Sequence, residues 1–346
     1  MQAEQAAAAN IGLPWDVRLA TASDIESPII LRFSPRPQKI ANYVSLRYSF
    51  YKWLTQSAKD YDIVLLRHSV HDIGEALFLS GRSNVFLVHH TLEISELKGL
   101  RGIRGQVLSA LESIIGTAAV RRSWGLVCVT QEIAAEQISR FGKHSRKLPC
   151  FIYPNGTDLK ASPCADQRSG EDCHRFLLVA AGLPSWHGVD LLVDQVQSSR
   201  HNVFLHFVGP FDPDSVGVSR NDNRFVFHGE KDFNDIRQIA AGCDLGLSAL
   251  ALERKGMKDA CPLKAREYLK LGLPVYGGYR DSGLPEGFMF YKRGAANLEE
   301  IIEFSQVMKR SSRSAVAAAA RPWIDKRTLV RNLYDSLTDW WEVLNG

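Results

Sequence analysis

Short apolar runs of strand length alternate with longer stretches of helical periodicity along the whole chain. This is the pattern of parallel sheets assembled from β-α units. In the first half the strands are expected at Asp16–Ala20, Asp62–Leu66, Val85–Val88, Gly125–Val129 and Leu148–Tyr153, with helices over Ile40–Ala58, Gln106–Val120 and Gln131–Phe141. In the second half the strands are expected at Arg175–Ala181, Val203–Val208, Phe225–Phe227, Asp244–Ala249, Pro274–Tyr276 and Phe288–Tyr291. A polar stretch, KASPCADQRSGEDCH at 160–174, has linker composition and divides the two series. The fold class is therefore α/β, with two Rossmann-like domains over residues 1–160 and 161–325. A terminal amphipathic helix at 326–346 carries the Trp340-Trp341 pair.

The start of the chain departs from this scheme. Met1–Asn10 has helical composition and Gly12-Leu13-Pro14 turns directly into a strand. A Rossmann-like domain opens instead on a buried strand and a glycine turn. The expectation is that the N-terminal domain lacks its first strand, that Asp16–Ala20 has unpaired backbone groups, and that activity is poor until an upstream segment supplies them.

Length and composition narrow the class. A chain of 346 residues has room for two cores, and 45% hydrophobic with 23% charged residues is the composition of a soluble globular protein. No apolar run approaches the ~20 residues that cross a bilayer. The first ten residues lack the basic start and apolar core of a secretory signal, which points to the cytoplasm. The six cysteines have no CxxC spacing and suggest neither a disulfide frame nor a zinc site. Charge is uneven: residues 1–160 hold 19 Lys+Arg against 14 Asp+Glu, the remainder 23 against 24. With no aromatics interleaved among the basic residues, nucleic acid is excluded as a partner. In Lys98-Gly-Leu-Arg-Gly-Ile-Arg104 three basic residues precede an apolar helix ending in Arg121-Arg122. That arrangement suits peripheral contact with an anionic membrane, at the inner face of the cell membrane.

The sharpest chemistry lies in Asp259-Ala-Cys-Pro-Leu-Lys-Ala-Arg-Glu267, continuing to Gly272-Leu-Pro-Val-Tyr276. Pro262 suits a first helical position and Gly272 a C-terminal cap. Lys264 and Glu267, three apart, share one face near the helix start, where free backbone N–H groups suit a phosphate. Lys264 adds positive charge and Glu267 can accept hydrogen bonds from a ribose diol. Taken alone, the same pattern also describes a capped surface helix with a Lys/Glu pair.

Further along the chain the pieces fall in a recognisable order. Asp259-x7-Glu267 with the following Gly-Leu-Pro-Val run resembles the E-x7-E signature of family 4 glycosyltransferases, which have the GT-B fold. Ile152-Tyr-Pro-Asn-Gly-Thr-Asp158 resembles the family's IPNGVD segment, and Gly182-Leu-Pro-Ser-Trp-His-Gly-Val-Asp190 its GRL…KGVD turn. Phe207-Val-Gly-Pro210 and Phe227-His-Gly229 stand where the family has VGxG and FxG. The resemblance covers roughly residues 125–280. It implies a donor cleft between two domains, an acceptor-side first domain, and a last helix that packs back on it. It implies retaining, metal-independent hexosyl transfer without a cofactor, from a nucleotide diphosphate sugar to a lipid-linked or saccharide acceptor in surface polysaccharide or glycolipid assembly. Asp259 would stand beside the donor sugar, and Gly182, Trp186, His187, Leu263, Lys264 and Glu267 would bind the donor. The family's diphosphate-binding arginine and lysine fall here on Leu183 and His187. Arg254 and Lys255, just before the acid motif, are expected to make up the missing charge.

In the first half His89 and His90 end the strand that starts at Val85, where ligands bind in open α/β sheets. Both are candidate catalytic residues, able to relay a proton or orient an acceptor hydroxyl. Glu93 and Glu96 follow them, and Arg67 and His68 end the preceding strand. Asp212-Pro-Asp214 spells a metal-binding D-x-D, but proline between the acids is turn chemistry, and no metal is expected. A nucleotide-sugar 2-epimerase and a non-catalytic nucleotide-sugar-binding relative are the alternative readings.

Overall fold

The structure, a computed structural model, describes residues 2–21, 27, 29–32, 39–100, 102–142, 147–168, 170 and 172–345. Contacts divide the chain into two units, Met1–Pro154 with Val330–Gly346, and Asn155–Leu329. The first crossing thus precedes the expected boundary at 160. The polar segment after it is no free linker: Cys164 N donates to Leu271 O, Gln167 N to Ala241 O, and Arg168 to Met308 O and Ser311 O. Its polarity serves the orphan carbonyls at helix ends of the second unit.

The first unit begins with α1 (Gln2–Asn10), β1 (Leu19–Thr21), β2 (Ile30–Arg32) and α2 (Lys39–Ser57). Then come β3 (Val64–Arg67), α3 (Ile73–Phe78), β4 (Val85–His89), α4 (Glu93–Lys98), α5 (Ile103–Arg122), β5 (Gly125–Cys128), α6 (Gln131–Phe141) and β6 (Cys150–Ile152). Strands β3-β4-β5-β6 form one parallel sheet in chain order. Because crossovers are right-handed, sequential order puts α3, α4–α5 and α6 on one face. Val85, Phe86, Leu87, Leu126 and Val127 are fully buried, as strands covered on both faces require. Trp340 of the last helix packs edge-on against Phe86 and Phe151. Of the expected strand Asp16–Ala20 only Leu19 and Ala20 lie in β1, which pairs along one edge with β2 in a separate two-stranded parallel sheet. Gln5 adds to this by accepting from Val17 N and donating to Trp15 O.

The second unit comprises β7 (His174–Val179), α7 (Val189–Ser198), β8 (Val203–Val208), α8 (Pro213–Val216), β9 (Phe225–Phe227), α9 (Phe233–Ala241) and β10 (Leu245–Leu247). It continues with β11 (Asp259–Ala260), α10 (Leu263–Lys270), β12 (Val275–Gly277), β13 (Arg280–Asp281), β14 (Tyr291–Arg293), α11 (Leu298–Met308) and α12 (Arg313–Ile324). The final helix, α13 (Lys326–Asn345), starts here and belongs to the first unit from Val330. The six-stranded parallel sheet has the order β14-β12-β10-β7-β8-β9. The chain therefore runs outward from β7 to β9, then returns beside β7 as β10. That reversal is a topological switch point, whose crevice at the strand C-termini is where such sheets bind ligands. No described helix is long and apolar enough to cross a membrane.

Candidate functional site

Two loops meet at the switch point between β7 and β10. The first carries Gly182 and a 3-10 turn, Ser185–His187, into α7; the second carries the 3-10 turn Leu252–Lys255. Backbone bonds knit them, Leu250 N to His187 O at 3.0 Å and Ala251 N to Trp186 O at 3.1 Å. The approach is close enough to require glycine at 188: its φ is +67°, and a Cβ would lie 3.1 Å from the Cβ atoms of both Leu250 and Ala251. Arg254 Nη1 donates to both Asp190 carboxylate oxygens and to Ser185 O, each at 2.9 Å. Lys255 Nζ lies 5.1 Å over the Trp186 ring. The charge expected from Arg254 is thus engaged by a carboxylate, and Arg254 braces the two turns.

Helix α10 brings Lys264 to the same place. Pro262 is its N-cap rather than its first residue, with extended backbone, and Gly272 follows the helix at φ +80°. Lys264 Nζ and His187 Nδ1 are both buried, and neither has a hydrogen-bond partner. Burial pushes the Lys264 ammonium down to about 8. Burial, and then the Lys264 charge, hold His187 down to about 4. A buried cation facing a neutral ring is unfavourable as it stands, and an anion between them would satisfy both. Glu267, one turn on from Lys264, is exposed; partial burial raises its carboxyl and Lys270 lowers it. Leu263 is 53% exposed. Leu183, at the place of the family's arginine, packs on the core, and a Cβ on Gly182 would meet no protein atom.

Asp259 is buried on β11, opposite Arg280 of β13 in the parallel register. The guanidinium forks onto its carboxylate, with Nε 2.9 Å from Oδ1, while remaining 63% exposed. Beneath them Arg266 is fully buried. It pairs with both Asp281 oxygens and also donates to Asn155 O and Cys261 Sγ. Asp281 outweighs the cost of burial and raises the Arg266 guanidinium. Arg266, Arg280 and Asp281 do not stand out in the sequence, since only the β11–β13 pairing makes them neighbours.

The Asp212-Pro-Asp214 segment forms a helix start in the second unit. Asp212 caps α8 by accepting from Ser215 N, and Asp214 pairs with Arg220. A separate cavity of about 520 Å³ is lined by Leu191, Gln195, Leu250, Glu253 and Arg293, and none of Lys264, His187 or Glu267 reaches it.

In the first unit the two strand-end histidines separate. His90 is exposed, whereas His89 is fully buried, with Nδ1 2.8 Å from Glu93 and Nε2 without a partner. Beside it, His68 Nδ1 faces Glu75 at 2.5 Å and Nε2 faces Glu112 at 3.1 Å. Only the doubly protonated ring satisfies both carboxylates. Burial lowers the His68 pKa, but the bonds from Glu112 and Glu75 outweigh it and hold the ring up to about 10. Burial also raises Glu112, but His68, His71 N and Arg140 together bring it down to about 2. Gln137 completes the network by donating to Glu93 while accepting from Arg140. His68, His89 and Glu93 bring possible metal-ligand atoms within 4.8 Å of one another. Those of His68 and His89 Nδ1 already serve hydrogen bonds to carboxylates.

No protein-family model and no curated protein matches the chain. Solved structures do share its fold. Sucrose-phosphate synthase from Thermosynechococcus elongatus is 14% identical, with a TM-score of 0.68 over 97% of this chain and 91% of that one. Anabaena HepE in complex with UDP and glucose is 17% identical, with a TM-score of 0.59 over 90% and 86%. The lipopolysaccharide outer core galactosyltransferase WaaB is 14% identical, with a TM-score of 0.56 over 90% and 84%. The chain has the GT-B fold of two Rossmann-like domains.

Proposed function

We propose that the protein transfers a glycosyl unit from a nucleoside diphosphate sugar to an acceptor hydroxyl. The observation that carries this is the unpartnered pair Lys264 Nζ and His187 Nδ1, buried at the switch point beside the start of α7. A diphosphate there would partner both groups and gain from the start of a helix. Among the solved neighbours one is a sucrose-phosphate synthase, one a galactosyltransferase and one holds UDP and glucose, which supports the same reading.

In the reaction the bond from the sugar's anomeric carbon to the diphosphate oxygen breaks, a bond to the acceptor oxygen forms, and the acceptor hydroxyl's proton passes to the departing diphosphate. Lys264 stabilises the charge that develops on the leaving diphosphate. Glu267 accepts from the ribose hydroxyls, Gly182, Trp186 and Leu263 border the donor, and Asp259, oriented by Arg280, meets its sugar. His90, rather than the buried His89, faces the acceptor. Retention of anomeric configuration, a hexosyl donor and a lipid-linked or saccharide acceptor in surface polysaccharide or glycolipid assembly belong to this reading. With Lys264 and a helix start balancing the phosphates, transfer proceeds without a metal and survives EDTA. Turnover of a panel of sugar nucleotides, with and without saccharide acceptors, tests the proposal: release of nucleoside diphosphate that depends on an acceptor supports it. A panel that neither binds nor turns over contradicts it.

A further inference from the structure

Helix α5 turns mostly small and polar residues inward and carries four aliphatic residues on its outward side. Gly105, Ser109, Glu112, Gly116, Ala119 and Val120 are buried, with Glu112 held by His68 and Arg140. Ile103, Val107, Leu111 and Ile114 are instead 78, 51, 43 and 71% exposed. At 3.6 residues per turn these four fall within an arc of about 80°, a single stripe. Helix α3 packs on α5 and α2 packs on α3. They add Ile73 and Leu77, 61 and 68% exposed, and Val44 and Tyr48, 60 and 70% exposed. Isolated surface aliphatics need no explanation, but outward stripes on three adjoining helices do.

On the three helices that bear the stripes the exposed charge has one sign, while on α4 and α6, which also pack on α5, Glu96, Glu132 and Glu136 are half-buried. The acids within α2, α3 and α5 are Glu75 and Glu112, and both are buried. Lys52, Arg104, Arg121 and Arg122 are exposed. Arg121 stands in line with the α5 stripe and Arg104 and Arg122 stand beside it, by the same helical periodicity. A second copy docked here by a two-fold axis would bring cations against cations with no exposed acid on these helices to pair them.

We propose that this face lies on an anionic lipid bilayer. The aliphatic stripe enters the boundary between headgroups and acyl chains, and the arginines meet lipid phosphates. The site is independent of the donor reading, since every residue of it belongs to the first unit.

Sedimentation of the full chain with phosphatidylcholine vesicles, with and without 30% phosphatidylglycerol, tests it. The protein is expected to pellet with the anionic vesicles only and to be released by high salt. Ile103→Asp/Ile114→Asp should lower the partition at least tenfold, because these side chains supply the apolar contact. Arg121→Gln/Arg122→Gln should lower it about fivefold per arginine. Circular dichroism melts matching the wild type would show that both variants fold. Absence of pelleting with either vesicle overturns the proposal, as does equal pelleting of Ile103→Asp/Ile114→Asp and wild type. So does a wild-type dimer that this variant disperses without any lipid binding, which would assign the face to a second copy.

Discussion

Lys264→Met should make the protein more stable and a poorer nucleotide binder. The lysine is held from its ordinary 10.5 down to about 8 by burial alone. That shift of about two and a half units, at 1.36 kcal/mol each, amounts to about 3 kcal/mol of unfavourable charge burial at neutral pH. Methionine fits the same slender volume without the charge, so the second unit should melt roughly 6–12 °C higher, at about 2–4 °C per kcal/mol. The folded pKa lies below the unfolded one, so wild-type stability should be lowest below pH 8 and rise between pH 8 and about 10.5. The variant should lack that rise. In binding, the loss of a charge-assisted contact of about 1.5–3 kcal/mol should weaken nucleoside diphosphate affinity about 10- to 100-fold. Scanning calorimetry against pH and titration calorimetry read the two effects separately. An unchanged melting temperature together with an unchanged affinity would refute the claim that Lys264 is an unsatisfied cation awaiting an anion.

Glu267→Ala should weaken sugar-nucleotide binding by about 1.5–3 kcal/mol with no loss of fold, as read by titration calorimetry. His68→Leu leaves Glu75 and Glu112 buried without their shared cation and should cost about 3–5 kcal/mol in denaturant unfolding. Because the folded His68 is held up to about 10, its stabilisation is fully present below its unfolded value near 6.5. It should be lost as pH rises through about 10, and the variant should not show that loss. Gly209→Ala should destabilise strongly, since φ is +141° and a Cβ would lie 2.0 Å from Ala180 O. Gly182→Ala should leave the melting temperature unchanged, there being no protein atom for its Cβ to meet, and lower only donor affinity.

The parallel-sheet architecture was legible because strands covered on both faces are continuous apolar runs. Val203–Val208 and Phe225–Phe227 agree to the residue. β11 and β13, two residues long and without a flanking apolar run, and the three-residue β2 went unseen, and with them the pairing of β1 and the one that sets Arg280 on Asp259. The loop from Gly182 to Asp190 and α10 were legible through turn and cap chemistry, though Pro262 proved to be the cap itself. Buried charges were not: Glu112, Arg140 and Arg266 look like surface residues until the fold brings their partners. The stripe on α5 misleads in the other sense, because its aliphatic side would ordinarily be assigned to the core. His89 and His90 are indistinguishable by sequence; His89 is the last, buried residue of β4, whereas His90 lies just beyond the strand and is exposed.

The most direct test is hydrogen exchange measured by mass spectrometry on the full chain, with and without saturating nucleoside diphosphates of several bases. At least one nucleotide should slow exchange in the residues from Gly182 to Asp190 and from Leu263 to Glu267, and Lys264→Met should abolish that protection. Protection confined to other segments, or none with any nucleotide, would contradict a donor site at the β7–β10 switch point.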